Sequence, residues 1–353
     1  MTDQIGHRLV GATGLAVSRL GFGGAPLGNL FRPLSDGESM LALSAALDAG
    51  LSYFDTAPYY GFGLSERRIG DGIRNRAGTV VSTKVGRLLR PLPGQIGPAE
   101  RDGYYSSLPF ESVYDYTYSG IMRSWEASLH RLGLSRIDIL FVHDIGVMTH
   151  GGQSEVMFGQ LTEEGGFRAL EELRDAGTIA AFGLGVNEWE VCLRAMEHAR
   201  LDVLLLAGRY TLLEQGALEA FLPACLHNGV SVVLGGVYNS GILATGTQSG
   251  AIAYYNYAPA PPDIVERVKQ LESVCSAHAV SMPSAALQFS LAHPAVVSAI
   301  IGLRSPAQVA AMIQSYTAEI PAEFWTDLQS SGLLRSDAPV PTANPRRKIA
   351  PSK

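Results

Sequence analysis

Residues 53–61, YFDTAPYYG, followed at 63–66 by GLSE, decide the fold of this chain. The aromatic start of the stretch predicts a short buried strand, its Pro and Gly residues predict a turn, and Ser65 predicts the start of a helix. Asp55 then lies at the carboxyl end of the strand, and Tyr60 lies in the loop above it. Taken alone, either residue is also explained by capping or packing.

A lysine follows at the end of the next predicted strand, where residues 80–84 are VVSTK. In a parallel sheet or barrel Lys84 would meet Asp55 and Tyr60, because neighbouring parallel strands end at the same edge. An ammonium group favours a phenolate, so we expect Lys84 to lower the pKa of Tyr60 from its reference near ~10, while Asp55 holds Lys84. The three residues together predict a proton-transfer site.

The rest of the chain repeats a strand followed by a helix. Eight near-continuous apolar runs predict the strands of a parallel sheet buried on both faces, at residues 19–24, 53–56, 79–84, 137–144, 181–186, 203–207, 231–235 and 297–302. Eight such units in about 300 residues favour an α/β (β/α)8 TIM barrel over a doubly wound sheet. Residues 7–18 predict a small N-terminal hairpin before the barrel.

Helical periodicity predicts helices between the strands, the first of them capped by Ser35. The predicted ranges are 35–51, 65–74, 118–132, 162–176, 188–199, 216–227, 262–279, 283–292 and 306–314. The long segments 85–118, 145–158 and 236–260 predict loops at the C-terminal face of the barrel, and loops of this length are usually functional. No charged or low-complexity linker divides the chain, so we expect one domain over 1–335 and a flexible, Pro-rich tail over 336–353.

The composition argues against several classes of function. The 353 residues carry 27 basic and 33 acidic side chains, a net charge of −6, which gives no footprint for nucleic acid or an anionic membrane. Cys192, Cys225 and Cys275 are scattered and odd in number, which predicts reduced thiols and neither a disulfide framework nor a metal site. Without an apolar signal segment or a run of about eighteen apolar residues, we expect a cytoplasmic protein, monomeric or a small homo-oligomer.

The barrel gives the polar residues of the chain a common position. Active sites of this fold lie at the carboxyl ends of the strands, where Asp55, Lys84, His143 and Asn187 follow strands two to five. Alone, His143 is also explained as a core histidine, and Asn187 as a helix cap. Together, the four predict a proton-transfer site with a further polar group for an oxygen of a small-molecule substrate.

These residues resemble the aldo-keto reductase superfamily over nearly the whole chain. The resemblance rests on DTAPYYG at 55–61 with Ser65 and Glu66, STK at 82–84, VHD at 142–144, GLGVN at 183–187 and IIGLRSP at 300–306. It implies a catalytic tetrad of Asp55, Tyr60, Lys84 and His143. Tyr60 would be the general acid and base, Lys84 would tune it, Asp55 would hold Lys84, and His143 would orient the substrate oxygen.

The same resemblance implies a nicotinamide cofactor. Asn187 matches the residue that grips the nicotinamide carboxamide, and Gly302, Arg304 and Gln308 match the segment that holds the adenosine phosphates; Gly23 is a further implied cofactor contact. Residues 21–24, GFGG, do not continue as a Rossmann fingerprint, because position 26 is Pro.

The cofactor preference follows from which cations are present. Gly302 and Gln308 stand where enzymes that bind the 2′-phosphate carry cations, which leaves Arg304 as the one cation and favours NAD, with NADP possible. Ala207 and Gly235 also depart from the Gln and the stacking Tyr that the family uses after strands six and seven.

Segments 114–119, 128–133 and 237–243 are similar to the sugar dehydrogenase branch of the family. That similarity implies oxidation of the C1 hemiacetal hydroxyl of an aldose of the L-fucose (D-threo-aldose) type to a lactone. The alternatives are oxidation of pyridoxal to 4-pyridoxolactone, general aldehyde reduction, a Schiff-base isomerase or aldolase that uses Lys84, and a nicotinamide-binding regulatory subunit without activity.

Overall fold

A computed structural model describes residues 5–94, 97–247 and 252–342. Its centre is a closed parallel barrel in which the strands follow one another in chain order and the last pairs with the first. The strands are β1 Leu20–Gly23, β2 Tyr53–Asp55, β3 Val80–Val85, β4 Ile139–His143, β5 Ala181–Val186, β6 Val203–Ala207, β7 Ser231–Gly235 and β8 Val296–Gly302. The predicted (β/α)8 barrel is confirmed.

Helices surround the barrel and cover its outer face with apolar side chains. The first begins after Ser35, whose Oγ accepts from the Glu38 backbone amide at 3.2 Å while Glu38 Oε2 accepts from the Ser35 amide at 2.8 Å. The described α-helices are Asp36–Asp48, Leu64–Ile73, Tyr118–Leu132, Val147–His150, Ser154–Thr162, Gly166–Asp175, Glu190–Met196, Phe221–Asn228, Ile242–Thr245, Pro262–Ala277, Met282–Ser290, Pro306–Thr317 and Ala322–Ser330.

The predicted N-terminal hairpin closes one end of the barrel. Its strands His7–Leu9 and Ala16–Ser18 pair in antiparallel fashion, and Val10 and Val17 are fully buried. Both valines belong to the cluster of side chains that fills the barrel interior, which includes Tyr53 and Phe141. Because the amino-terminal end of the strands is sealed, the open mouth lies at the carboxyl ends.

The three segments predicted as loops contain short regular elements. Residues 87–91 pair with 110–114, residues 100–101 pair with 104–105, and residues 254–255 pair with 258–259, all antiparallel. Short helices at Val147–His150 and Ser154–Thr162 replace the loop predicted over 145–158. These elements escape a periodicity search because they are too short to show a period, and the helix Ala322–Ser330 was not predicted at all.

The remaining sequence-based expectations concern the termini, the cysteines and the membrane. Residues 343–353 of the predicted tail lie outside the described residues, and within 336–342 Ala338 is buried. Cys192, Cys225 and Cys275 are free and buried. Among the described residues, no helix is long and apolar enough to span a membrane, and no cluster of His, Cys, Asp and Glu has the geometry of a metal site.

Candidate active site

A buried ion pair lies at the carboxyl ends of β2 and β3. Lys84 Nζ donates to Asp55 Oδ2 at 2.8 Å and to the Thr56 carbonyl at 2.9 Å. The pairing of β2 with β3 creates this contact, since Asp55 aligns with Ser82 and Lys84 lies two residues further along the same face. A lysine held in this way by a carboxylate is poorly suited to form a Schiff base, which argues against the isomerase and aldolase alternative.

Polar side chains beneath the ion pair hold the Asp55 carboxylate. Ser82 Oγ donates to Asp55 Oδ1 at 2.7 Å, and the Tyr53 hydroxyl lies 3.0 Å from Ser82 Oγ. Burial raises the pKa of Asp55, whereas the Lys84 ammonium and the Ser82 hydroxyl oppose that rise by stabilising the carboxylate. Both oxygens of Asp55 are therefore engaged, and the orientation of Lys84 is fixed.

The Tyr60 ring lies beside this pair in the turn after β2. Lys84 Nζ is 4.7 Å from the centroid of the Tyr60 ring, and the His143 ring meets it edge-on at a centroid distance of 5.9 Å. Burial raises the pKa of the Tyr60 phenol well above its ordinary value, the Asp55 carboxylate adds to the rise, and Arg87 opposes it. The expectation of a lowered pKa for Tyr60 is wrong, because the cost of desolvating a phenolate outweighs the opposing Arg87 cation.

His143 ends β4 and is buried against the tyrosine. Burial lowers the pKa of its imidazole well below the ordinary value, and the Arg87 and Lys84 cations lower it further, so the ring is neutral near pH 7. Its Nδ1 atom is buried without a hydrogen-bond partner among the described residues. The structure thus brings Asp55, Tyr60, Lys84 and His143 into one cluster at the mouth of the barrel.

A second ion pair, which the sequence did not predict, lies next to this cluster. Arg87 Nη2 donates to Asp144 Oδ2 at 2.7 Å, and the Arg87 guanidinium lies between the rings of Tyr59 and Tyr114, 4.2 and 4.9 Å from their centroids. Asn187 approaches the same carboxylate, with Nδ2 3.4 Å from Asp144 Oδ1. Arg87 comes three residues after Lys84, near the start of the long segment 85–118. That position is the sequence signal that could have identified it.

The implied cofactor residues of β1 and β8 lie side by side. Gly23 pairs with Gly302, and a Cβ atom at Gly23 would lie 3.2 Å from the Gly302 amide nitrogen. A Cβ atom at Gly302 would lie 3.0 Å from Pro26 Cγ. The two glycines therefore keep this part of the mouth free of side chains, which leaves backbone exposed to a ligand at Gly302.

Arg304 and Gln308 lie at the start of the helix Pro306–Thr317. Gln308 Oε1 accepts from the Arg304 amide at 2.8 Å, and the Arg304 guanidinium donates through Nη2 to the Leu30 carbonyl. Arg304 Nη1 is buried without a partner among the described residues. Burial and the neighbouring Arg32 lower the pKa of Arg304, so Arg32 is a second cation close to this segment that the sequence analysis missed.

The residues at the mouth fit a flat, amide-bearing ring. Small residues end β6 and β7, and a Cβ atom at Gly235 would lie 3.5 Å from the Ala207 Cβ and 3.6 Å from Leu205 Cδ2. Ala207 and Gly235 are smaller than the Gln and Tyr that the family uses after strands six and seven, and Ala207 follows Leu206, which pairs with Val186 beside Asn187, where the resemblance puts the nicotinamide. Asn187 would hold the carboxamide, and the segment from Gly302 to Gln308 would hold the phosphates.

Comparison with known proteins agrees with this geometry. Residues 19–332 match the model of the Aldo/keto reductase family. The chain is 46% identical to a pyridoxal 4-dehydrogenase from Microbacterium luteolum, over 93% of this chain and 97% of that protein. It is 40% identical to a D-threo-aldose 1-dehydrogenase from a Pseudomonas species, over 92% of this chain and 96% of that protein.

A solved structure agrees as well. The holo form of an aldo-keto reductase from Bacillus halodurans superposes with a TM-score of 0.72 at 25% identity, covering 93% of this chain and 96% of that one. Aldo-keto reductases bind nicotinamide cofactors and act as oxidoreductases. This chain, with its barrel, its mouth and its matched sequence, belongs to the aldo-keto reductase family.

Proposed function

We propose that this protein oxidises a cyclic hemiacetal to a lactone, with Tyr60 as the group that accepts the substrate proton. The observation that carries the proposal is the contact of the Tyr60 ring with both the Lys84 ammonium, at 4.7 Å, and the His143 ring, at 5.9 Å. Support also comes from the relatives at 46% and 40% identity, whose names both describe dehydrogenases.

The proposed chemistry removes a hydride and a proton from one carbon–oxygen unit. Tyr60 first gives up its phenolic proton to solvent, and the hemiacetal O–H proton then passes to the phenolate oxygen as the C–H bond breaks with its electron pair and the carbon–oxygen single bond becomes the lactone carbonyl. A bound oxidised nicotinamide supplies the hydride acceptor and a positive charge that favours the phenolate. Neutral His143 binds the reacting oxygen, and Lys84, held by Asp55, lies beside the Tyr60 ring and offsets part of the charge on the phenolate.

Pyridoxal, which closes to an aromatic hemiacetal, is the substrate we rank first, ahead of the aldose favoured by the sequence. Aromatic rings surround Tyr60: the Tyr104 ring is 6.4 Å from Tyr60 and 5.5 Å from Tyr59 between centroids. Such rings suit the stacking of a flat pyridine ring. An aldose of the D-threo type is the second candidate, since the relative that bears this name is 40% identical.

Initial rates of reduced cofactor formation test the reaction class. We expect turnover with pyridoxal, with L-fucose or with both, and release of the corresponding lactone. The methyl glycoside of L-fucose is a matched control, because it lacks the anomeric O–H and must stay inert. Turnover of the glycoside would contradict the proposed proton transfer, and activity confined to reduction of open-chain aldehydes would favour the general aldehyde reductase.

We also propose that NAD is preferred over NADP. The Arg304 guanidinium is partly buried and donates to the Leu30 carbonyl, and Gln308 beside it is neutral. A 2′-phosphate needs cations or charge-assisted donors when it leaves water. Arg32 is a further cation near Arg304, and its presence keeps NADP a weaker alternative.

A further inference from the structure

Asp144 directly follows His143 and turns back towards it. Its backbone adopts a left-handed conformation with φ of 49°, which aspartate tolerates better than most residues, and its amide donates to the Gly185 carbonyl at 3.0 Å. This turn brings Asp144 Oδ2 to 3.5 Å from His143 Nε2. At that distance no hydrogen bond holds the ring, but a small movement would let the Asp144 carboxylate accept one from His143 Nε2.

Arg87 is the partner that engages this carboxylate. The contact of Arg87 Nη2 with Asp144 Oδ2 is 2.7 Å, a charge-assisted hydrogen bond, whereas the His143 contact to the same oxygen is longer by 0.8 Å. The Arg87 side chain is only 7% exposed and is clamped by the Tyr59 and Tyr114 rings. Arg87 therefore cannot easily leave, and Asp144 stays occupied.

Without Arg87 the Oδ2 atom of this buried carboxylate would lose its ionic partner, while Asn187 Nδ2 would still lie 3.4 Å from Oδ1. A buried carboxylate without a partner is costly, so the nearest available donor would turn to it. For Oδ2 that donor is His143 Nε2, already 3.5 Å away, and a histidine paired with a carboxylate gains a proton more readily. The ring would then be tied to Asp144 and withdrawn from the mouth of the barrel.

We infer that Arg87 is a positioning residue: by holding the Asp144 carboxylate, it leaves the His143 ring free to bind the substrate oxygen. The inference rests on the proposed function for the role of His143 in the reaction. Arg87 does not itself touch reacting atoms in this account. It acts through Asp144, and the same carboxylate, through its 3.4 Å contact with Asn187 Nδ2, links the pair to the implied cofactor side of the mouth.

The charged groups that face His143 shift its pKa in a known direction. Lys84 from β3 and Arg87 from the strand after it both lower the pKa of His143, and burial is the larger cause. The rings of Tyr59 and Tyr60 meet His143 at 6.3 and 5.9 Å, and the Tyr116 hydroxyl binds its carbonyl. Removing Arg87 deletes one cation and frees one carboxylate, so both changes raise the pKa of His143.

Four variants test the inference: Arg87→Met, Arg87→Lys, the double variant Arg87→Met with Asp144→Asn, and Arg90→Met as control. Arg90 lies on the same strand, Arg87–Pro91, and is exposed. We expect Arg87→Met to lower kcat about 100-fold, the cost typical of a misplaced catalytic group, and to raise the His143 pKa observed by proton NMR. Arg87→Lys should retain most of the activity, and the double variant should recover at least about tenfold over Arg87→Met, because no unpaired carboxylate remains.

Two results would overturn the inference. One is an unchanged His143 titration in Arg87→Met; the other is a double variant no more active than Arg87→Met. If Arg87→Met alone fails to fold by circular dichroism, Arg87→Lys and the double variant decide through kcat: a folded double variant that keeps about a tenth or more of the wild-type kcat supports the role of Asp144, and one that is about 100-fold slower than wild type contradicts it. Wild-type turnover of hemiacetals scores the proposed function separately, because the NMR titration needs no substrate.

Discussion

At the scale of single residues, Tyr60 is held in an environment that resists ionisation. Burial and the Asp55 carboxylate raise the pKa of its phenol, while Arg87 is the cation that opposes them. The Lys84 ammonium lies 4.7 Å from the ring centroid but is also bound to Asp55, so most of its charge is already compensated. The proposed proton acceptor is therefore protonated in the protein alone at neutral pH.

An ultraviolet titration tests this environment. We predict that the difference between wild type and Tyr60→Phe shows no tyrosinate absorbance from Tyr60 up to about pH 10, the reference pKa of a free tyrosine, because a raised pKa moves ionisation above that value. Subtracting the variant isolates one phenol among the 14 tyrosines of the chain. Half-ionisation of Tyr60 below about pH 9 would contradict the dominance of burial and favour the influence of Lys84.

The residues of the mouth differ in how well the sequence predicted them. Asp55, Lys84 and His143 were predictable because each lies at or next to the carboxyl end of a barrel strand, and strand ends share one edge. Arg87 was not, because its position depends on the hairpin formed by residues 87–91 and 110–114, whose strands are separated by 18 residues in the chain. The pKa of Tyr60 was mispredicted because burial cannot be judged from a neighbouring charge.

At the scale of elements, Glu66 joins three of them. Its side chain is fully buried, Oε1 accepts from Thr83 Oγ1 at 2.7 Å, and Oε2 accepts from Arg131 Nε. The contact ties the helix Leu64–Ile73, which follows the 53–61 stretch, to β3 and to the helix Tyr118–Leu132. Glu66 thus has a structural explanation that is independent of chemistry at the mouth.

We predict that Glu66→Gln lowers the free energy of unfolding by about 3 kcal/mol, because Arg131 loses its buried counter-charge. The matched control is Glu126→Gln, an exposed glutamate on the same helix as Arg131, for which a change within about 0.5 kcal/mol is expected. Denaturant unfolding measures both. Equal effects of the two substitutions would show that the Glu66 contact contributes nothing beyond an ordinary surface charge.

The segment between β8 and the helix Pro306–Thr317 bears on the cofactor preference. We expect kcat/KM with NAD to be at least as high as with NADP, and Gln308→Arg to shift the ratio towards NADP about tenfold, the value of one added charge-assisted hydrogen bond. Gln314→Arg, an exposed position further along the helix Pro306–Thr317, should leave the ratio unchanged.

A wild-type kcat/KM more than about tenfold higher with NADP would overturn the proposed preference and would point to Arg32 and Arg304 acting together on the 2′-phosphate.

At the scale of the whole molecule, a hairpin closes one end of the barrel and long loops with short regular elements surround the other. The barrel was predictable because its strands are near-continuous apolar runs and its helices follow at regular intervals. The short elements within the loops were not predictable, because two-residue strands and single-turn helices such as Val147–His150 show no periodicity in the sequence. The chemistry of the mouth therefore follows from the barrel, whereas the shape of its rim follows from contacts that only the folded chain shows.

The central claim is that Tyr60 transfers the substrate proton at the mouth of this barrel. Its most direct test compares wild type with Tyr60→Phe in turnover of pyridoxal and L-fucose and, separately, in NAD binding followed by protein fluorescence. We predict a fall in kcat of about 10² to 10⁴-fold, the range supplied by general acid–base catalysis, with the dissociation constant for NAD nearly unchanged. A variant that keeps about a tenth or more of the wild-type turnover would contradict it.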